Sequence, residues 1–185
     1  MKQSNYLDKN KVDYKKLHNL THDWAKERGI VDNGNVFTQT MKLVSEYGEL
    51  CDAIIKDRDL EVKDAIGDMM VVLSNIASIL GERWRIVFLE CCQKTRTQPL
   101  DYMHQMPENM YSLTELIAKL FHGNYQVAFS IPSILKLVAA RYGLSLVACW
   151  YSAYDEIKDR KGYLNAQGNF VKEGDNGVHT TVQGD

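Results

Sequence analysis

The stretch that decides the fold is "DAIGDMMVVLSNIASILG", Asp64 to Gly81. Between Ala65 and Gly81 its only charged side chain is Asp68, and the other residues are apolar or small and polar. A run of this length with no proline reads as a helix buried on most of its circumference. An unpaired carboxylate inside such a helix costs several kcal/mol or takes up a proton, so Asp68 requires a partner.

Upstream, apolar residues recur at helical spacing from about Phe37 to Lys56, with Phe37, Met41, Val44, Tyr47, Cys51 and Ile55 expected on one apolar arc. The polar "KDRD" of Lys56 to Asp59 is a short connection, so a third helix, about Leu60 to Leu80, is expected to pack antiparallel to the second. A first helix is expected over Asp13 to Arg28, with Leu17, Leu20 and Trp24 on its core face. His18 and His22 have the spacing of a metal pair but point away from that face, which predicts solvent exposure.

The rest of the chain reads less sharply. "RWRIVFLECCQK" is a short helical candidate, followed by the loop-like "TRTQPLDYMHQMPENM", in which Asp101 and His104 carry no assignment. Ser112 and Glu115 fit a capping box that opens a helix to about Phe121. Pro132 suits the first turn of another helix, bent near Gly143 and reaching about Lys161, and "YLNAQGNFVKE" suggests a small hairpin. The expected architecture is all-α: a helical bundle built on an antiparallel, metal-binding helix hairpin, with a small C-terminal hairpin or coil. One domain over residues 1–173 and a flexible tail over 174–185 fit a chain of 185 residues.

Composition narrows the function. A net charge of -2, with no Lys/Arg stripe interleaved with aromatics, argues against nucleic acid as the main partner. The polar "MKQSNYLDKNKVDYKK" start and the charge at Asp68 argue against secretion and membrane spanning. Cys51, Cys91, Cys92 and Cys149 show no zinc-type spacing and are expected as reduced packing residues, in keeping with the cytoplasm.

On a helical wheel Gln39, Lys42, Glu46 and Glu49 share one stripe of the second helix, and Glu61, Asp64, Asp68 and Asn75 share one of the third. Measured from the connection, Glu49 and Asp68 lie roughly 12 and 15 Å along their helices, so the acidic stripes meet. Carboxylates converging this way cannot all stay ionised without a cation, and an all-oxygen set selects Mg²⁺, or Mn²⁺ in its place.

"KLVSEYGELCDAII" (Lys42–Ile55), the short connection and "DAIGDMMVVL" (Asp64–Leu73) resemble the two metal-binding helices of the MazG-like all-α nucleoside triphosphate pyrophosphohydrolases, whose pattern is roughly EExxE, a spacer and ExxD. The resemblance extends from about Trp24 to Leu80 and resumes at "YDEIKDRKGYLNAQGNFVKE" (Tyr154–Glu173), which is similar to the C-terminal segment of phage-borne members. It is absent from Glu82 to about Ser130, so residues 82–130 are expected as a divergent insertion or extra helices. Ser45 stands at the first Glu of EExxE and Ala65 at the Glu of ExxD, which leaves Glu46, Glu49 and Asp68 as matching positions. Asp64, on the stripe of Asp68, is the wheel's candidate for a fourth ligand.

The resemblance implies hydrolysis of nucleoside triphosphates, often deoxynucleotides, to the monophosphate and pyrophosphate. Glu46, Glu49, Asp64 and Asp68 are expected to hold Mg²⁺, with Glu49, aided by Glu46, as the catalytic carboxylate that positions water. Lys158 and Arg160, then Lys161 and Lys172, together with Lys42, are the expected phosphate contacts, and Trp24 the wall for the base. Family members assemble as dimers or tetramers, so a homo-oligomer is expected. Whether an alarmone such as ppGpp is taken stays open. The alternative is a nucleotide-binding or interaction protein that lost its chemistry with the acids at Ser45 and Ala65. A redox di-metal carboxylate protein is disfavoured, since no Glu has a His three residues on.

Overall fold

The computed structural model describes residues 13–94, 106–165 and 170–174. Asp101, His104 and the tail beyond Gly174 lie outside the described residues. The described residues are all-α apart from one strand pair: α1 Tyr14–Glu27, α2 Ile30–Asn33, α3 Val36–Ile55, α4 Asp59–Leu80, α5 Glu82–Gln93, α6 Met106–Phe121, α7 Tyr125–Ala128, α8 Ile131–Arg141, α9 Leu146–Ile157, β1 Gly162–Leu164 and β2 Phe170–Lys172.

The opening stretch forms most of α4, which is the axis of the bundle. From Val62 to Ser78 almost every α4 side chain is buried, because α3, α9, α5 and α1 pack around it. Such all-round burial matches its all-round apolar sequence. The α3–α4 connection is as short as expected: Asp57 adopts a left-handed φ of 54°, and the Arg58 amide donates to the Ala53 carbonyl at 3.0 Å. This closing turn satisfies the last carbonyls of α3 and reverses the chain. The start of α3 is held by Asn35, whose side-chain oxygen accepts from the Thr38 amide at 2.8 Å.

Gly67 sets the distance between α4 and α9. A Cβ there would stand 2.4 Å from the Cys149 carbonyl oxygen and 2.8 Å from the Ala153 Cβ, so only glycine allows this approach.

Several expectations change. The arc of α3 that packs inward is Gln39, Thr40, Leu43, Glu46, Leu50 and Ala53. Phe37 is 65% exposed, Ile55 81%, and Met41 and Val44 are exposed as well. Of the arc read from the sequence only Tyr47 and Cys51 are half-buried, with Tyr47 donating to the Met110 carbonyl of α6 at 3.0 Å, while the inward face mixes Leu43, Leu50 and Ala53 with Gln39 and Glu46. His18 is fully buried: its Nδ1 is 2.7 Å from Ser74 Oγ, and its Nε2 accepts from Arg85 Nε at 3.0 Å. Helix α5 covers the side of α1 that a single core face would leave open, and Phe88 stacks on His18 with ring centroids 5.5 Å apart. Burial, with Arg85 and then His22 nearby, lowers the His18 pKa to about 3. Both ring nitrogens of His18 are thus engaged within the core, and His22 is half-buried rather than fully exposed.

Helix α6 begins at Met106, upstream of the expected capping box, so Ser112 and Glu115 lie inside it. Pro107 in the first turn, with Met110, Leu113, Ile117 and Leu120 at helical spacing, accounts for the earlier start. The single bent helix expected after Pro132 is two helices. Their axes cross at 98°, Gly143 takes a φ of 65°, and Ser145 caps α9 by accepting from the Ala148 amide at 3.1 Å. Helix α9 ends at Ile157 with Lys158 as its C-cap, so "KDRK" begins at the helix C-terminus, as expected, and leads from there into β1. The small C-terminal hairpin is present, with Gly162 paired to Lys172, Tyr163 to Val171 and Leu164 to Phe170. Among the described residues, no single helix is long and apolar enough to cross a membrane.

Candidate functional site

The polar stripes of α3 and α4 meet in antiparallel register. Moving away from the connection, Asp52 and Glu61 come first, then Glu49 and Asp64, then Glu46 and Asp68, and last Gln39 and Asn75. This ladder opens onto two neighbouring hollows. A cleft of about 500 Å³ is lined by Ser45, Gly48, Glu49, Asp52, Glu61 and Asp64. A cavity of about 460 Å³ is lined by Lys42, Glu46, Asp68, Gln39 and Asn75, by the apolar Trp24, Val71, Val72 and Phe170, and by Arg160 and Lys172.

Glu46 is only 2% exposed, and Lys42, one turn earlier, pairs with it at 2.5 Å. The Lys42 pKa is raised: burial pulls it down, but the hydrogen bond and charge of Glu46, with Glu49 and Asp68 beyond, outweigh burial. Asp68 is half-buried, and its pKa is raised to about 7 by burial first, then by Glu46 and Asp64, against the opposing pull of Lys42 and Arg160. Glu49 is also raised, by burial and by the charges of Glu46 and Asp64, with Lys42 opposing. Asp68 and Glu49, which line different hollows, therefore both feel the charges of Glu46 and Asp64. The excess of negative charge over nearby cations suits a hard divalent ion, and all the donors are oxygen. As the side chains stand, no three His, Cys, Asp or Glu residues among those described close on a common point, and Lys42 occupies Glu46.

The aromatic wall is built by contacts between distant segments. Trp24 Nε1 donates to the Ile157 carbonyl at 2.8 Å, and Phe170 of β2 meets the indole edge-on at 5.8 Å. Arg28 lies 4.9 Å from the centre of the same indole. Its guanidinium also donates to the Arg160 carbonyl at 2.8 and 3.0 Å and to the Lys158 carbonyl at 3.2 Å. This strap ties α1 to the loop after α9 and holds Arg160 at the cavity.

The candidates read from the sequence separate accordingly. Trp24, Lys42, Glu46, Asp68, Arg160 and Lys172 share the cavity, and Glu49 and Asp64 share the adjoining cleft. Lys158 does neither: at the C-cap of α9 it is exposed and pairs with Asp155, one turn back, at 2.7 Å. Lys161 lines a third hollow of about 580 Å³ with Glu27, Arg28, Arg160 and Glu173. Gln39 and Asn75 were on the stripes without an assigned role, and their seven-residue offsets from Glu46 and Asp68 were the signal that could have placed them. Arg28 had none, since its partners are more than a hundred residues away. Ala65 is buried in the core whereas Ser45 faces the acidic cleft, so the two departures from the acidic pattern occupy different environments.

No protein-family model matches the chain, and no solved structure matches it. The chain is similar to an uncharacterized 18.2 kDa protein encoded in the rep-hol intergenic region of Haemophilus phage HP1, strain HP1c1. The two are 26% identical over 161 residues, which span 77% of this chain and 98% of the phage protein.

Proposed function

We propose that this chain is a Mg²⁺-dependent hydrolase that converts nucleoside triphosphates, foremost deoxynucleotides, to the monophosphate and pyrophosphate. The observation that carries the reading is the juxtaposition of the α3–α4 carboxylate ladder with a cavity that has an aromatic wall and, besides the Glu46-paired Lys42, the cations Arg160 and Lys172. Nucleoside triphosphates present an aromatic base and a polyanion, and such a cavity offers a counterpart to each. Glu46 and Asp68, with Glu49 and Asp64 beside them, are the residues that would hold the cation. When bound, it supplies charge neutralisation at the phosphates.

The chain's own groups divide the remaining work. Arg160 and Lys172 bind the phosphate oxygens at the rim of the cavity. Lys42 holds Glu46 in place and becomes available for a phosphate when Glu46 takes a cation. Glu49, whose raised pKa brings it closer to neutrality, accepts a proton from water at the cleft more readily than an ordinary surface carboxylate. Trp24 and Phe170 exclude water from the base.

A second copy of the chain is the proposed partner. Phe37, Met41 and Val44 form an exposed apolar strip along α3, which a homodimer or homotetramer would cover. A second reading, a nucleotide-binding protein with impaired chemistry, is favoured by the serine and alanine at positions 45 and 65. Pyrophosphate release from ribo- and deoxynucleoside triphosphates and from ppGpp, with Mg²⁺, Mn²⁺ or EDTA, separates the two. Metal-dependent release abolished by Asp68→Asn supports the hydrolase. Nucleotide binding with no release from any substrate refutes it in favour of the binding protein.

A further inference from the structure

The inner end of the cavity holds a feature that neither metal nor phosphate binding uses. Asn75 is 4% exposed, and its Oδ1 is buried without a hydrogen-bond partner. Its Nδ2 makes a long bond, 3.4 Å, to Oε1 of Gln39, which is also buried. A buried acceptor without a donor costs about 1–3 kcal/mol, so this arrangement is completed by something that brings one. Both side chains line the cavity, and Val71, Val72, Trp24 and Phe170 make the surrounding wall apolar.

Position along the helices assigns the two ends of the cavity. Asn75 is seven residues, two turns, beyond Asp68, and Gln39 is seven residues before Glu46, which separates the carboxamides from the carboxylates by roughly 10 Å. A nucleotide with its phosphates at Asp68, Arg160 and Lys172 would place its base at Asn75 and Gln39, with the sugar between them.

Resting on the nucleotide reading above, we propose that Asn75 and Gln39 form the base-reading end of the site, a bonded carboxamide pair that presents one acceptor and one donor to the hydrogen-bonding edge of the nucleobase. The pairing does not depend on which way the amides are turned. With Asn75 Nδ2 donating to Gln39, the groups left for a ligand are Asn75 Oδ1 and Gln39 Nε2. With both amides turned over, they are Gln39 Oε1 and Asn75 Nδ2. In either case one donor and one acceptor remain, complementary to an N–H beside a carbonyl, as in thymine, uracil or the N1–O6 edge of guanine.

An exchange of amide for carboxylate makes a signed prediction. In Asn75→Asp the carboxylate only accepts, so Gln39 must donate to it and presents its own oxygen. In Gln39→Glu the mirror rearrangement occurs. Each variant then offers two acceptors, which suit the adjacent N1–H and N2–H of guanine and leave thymine, with no two adjacent donors, poorly matched. The preference for dGTP over dTTP should therefore rise by about tenfold or more in both variants, whatever the native preference, since one such hydrogen bond discriminates by about that factor.

The test measures binding of α,β-imido analogues of dGTP and dTTP to the full chain with Mg²⁺, by tryptophan fluorescence and by calorimetry, alongside inorganic triphosphate as a probe of the phosphate end. Support is a shift of the dGTP:dTTP ratio in both folded variants while triphosphate affinity stays within about twofold of native. An unchanged ratio in either folded variant overturns base reading by the pair and leaves nucleotide hydrolysis standing. Failure of the native chain to bind either analogue overturns both. Because Asn75 lies deep in α4, Gln39→Glu keeps the question decidable if Asn75→Asp does not fold.

Discussion

Asp68→Asn should stabilise the metal-free protein while abolishing its activity. The carboxyl of Asp68 is raised from its ordinary 3.8 to about 7, mainly by burial and then by Glu46 and Asp64. A folded-state pKa above the unfolded value means that between about pH 4 and 7 the native state holds a proton the unfolded chain has released. Stability is therefore lost as pH rises through that window. Three units at about 1.4 kcal/mol each set a ceiling of about 4 kcal/mol at pH 8, and solvent reaching this half-buried group lowers the expected cost to about 2 kcal/mol. Asparagine keeps the shape and removes the charge, so urea unfolding at pH 8 with EDTA should show the variant about 2 kcal/mol more stable than native. The difference should shrink toward zero near pH 3.5. Addition of millimolar Mg²⁺ should raise the native melting temperature and leave the variant unmoved, because only the charged site binds the ion. A variant less stable than native at pH 8, or one that responds equally to Mg²⁺, would refute the reading of Asp68 as a carboxylate held ready for a cation.

Other expectations concern separate parts of the molecule. Replacing Gly67 by alanine forces its Cβ against Cys149 and Ala153, so thermal unfolding should show a loss of about 1–3 kcal/mol, with weaker nucleotide affinity if α9 carries Arg160 outward as it shifts. The depressed pKa of His18, about 3 against the ordinary 6.5, makes the unfolded chain bind a proton first, so this residue's contribution falls as pH drops below 6.5. Asp68 acts in the opposite sense over that range, so the effect is read as a difference: His18→Leu should gain about 2 kcal/mol relative to native between pH 6.5 and 5, and a constant difference would contradict it. Ser45→Glu places an added acid in the cleft of Glu49 and Asp64 and should tighten Mg²⁺ binding, followed by calorimetry. Ala65→Glu instead drives a carboxylate into the core and should lower stability by more than about 3 kcal/mol, so equal effects from the two substitutions would overturn the assignment of their environments.

The sequence by itself determined the α3–α4 hairpin and the alignment of its stripes. Helical periodicity is local, a short polar connection forces antiparallel packing, and constant rise per residue brings the acidic stripes together, although the reading set Glu49 against Asp68 where the structure groups Glu46 with Asp68 and Glu49 with Asp64. The same regularity makes the meeting of Gln39 and Asn75 readable in principle. Only the tertiary structure decided which side of each helix faced inward. On α3 the face that packs on α4 is the one carrying Leu43, Leu50 and Ala53, which takes Gln39 and Glu46 inward with it and leaves Phe37 and Met41 outside. On α1, His18 became a core residue because α5 arrived with Arg85 to satisfy it, a partner that no periodicity within α1 announces. The placement of the "KDRK" side chains was decided in the same way. Its three cations look alike in the sequence, but the Arg28 strap holds Arg160 at the cavity, whereas Lys158 at the end of α9 faces solvent. Spacing along one helix is fixed by backbone geometry, whereas the choice among faces depends on what the rest of the chain brings to them.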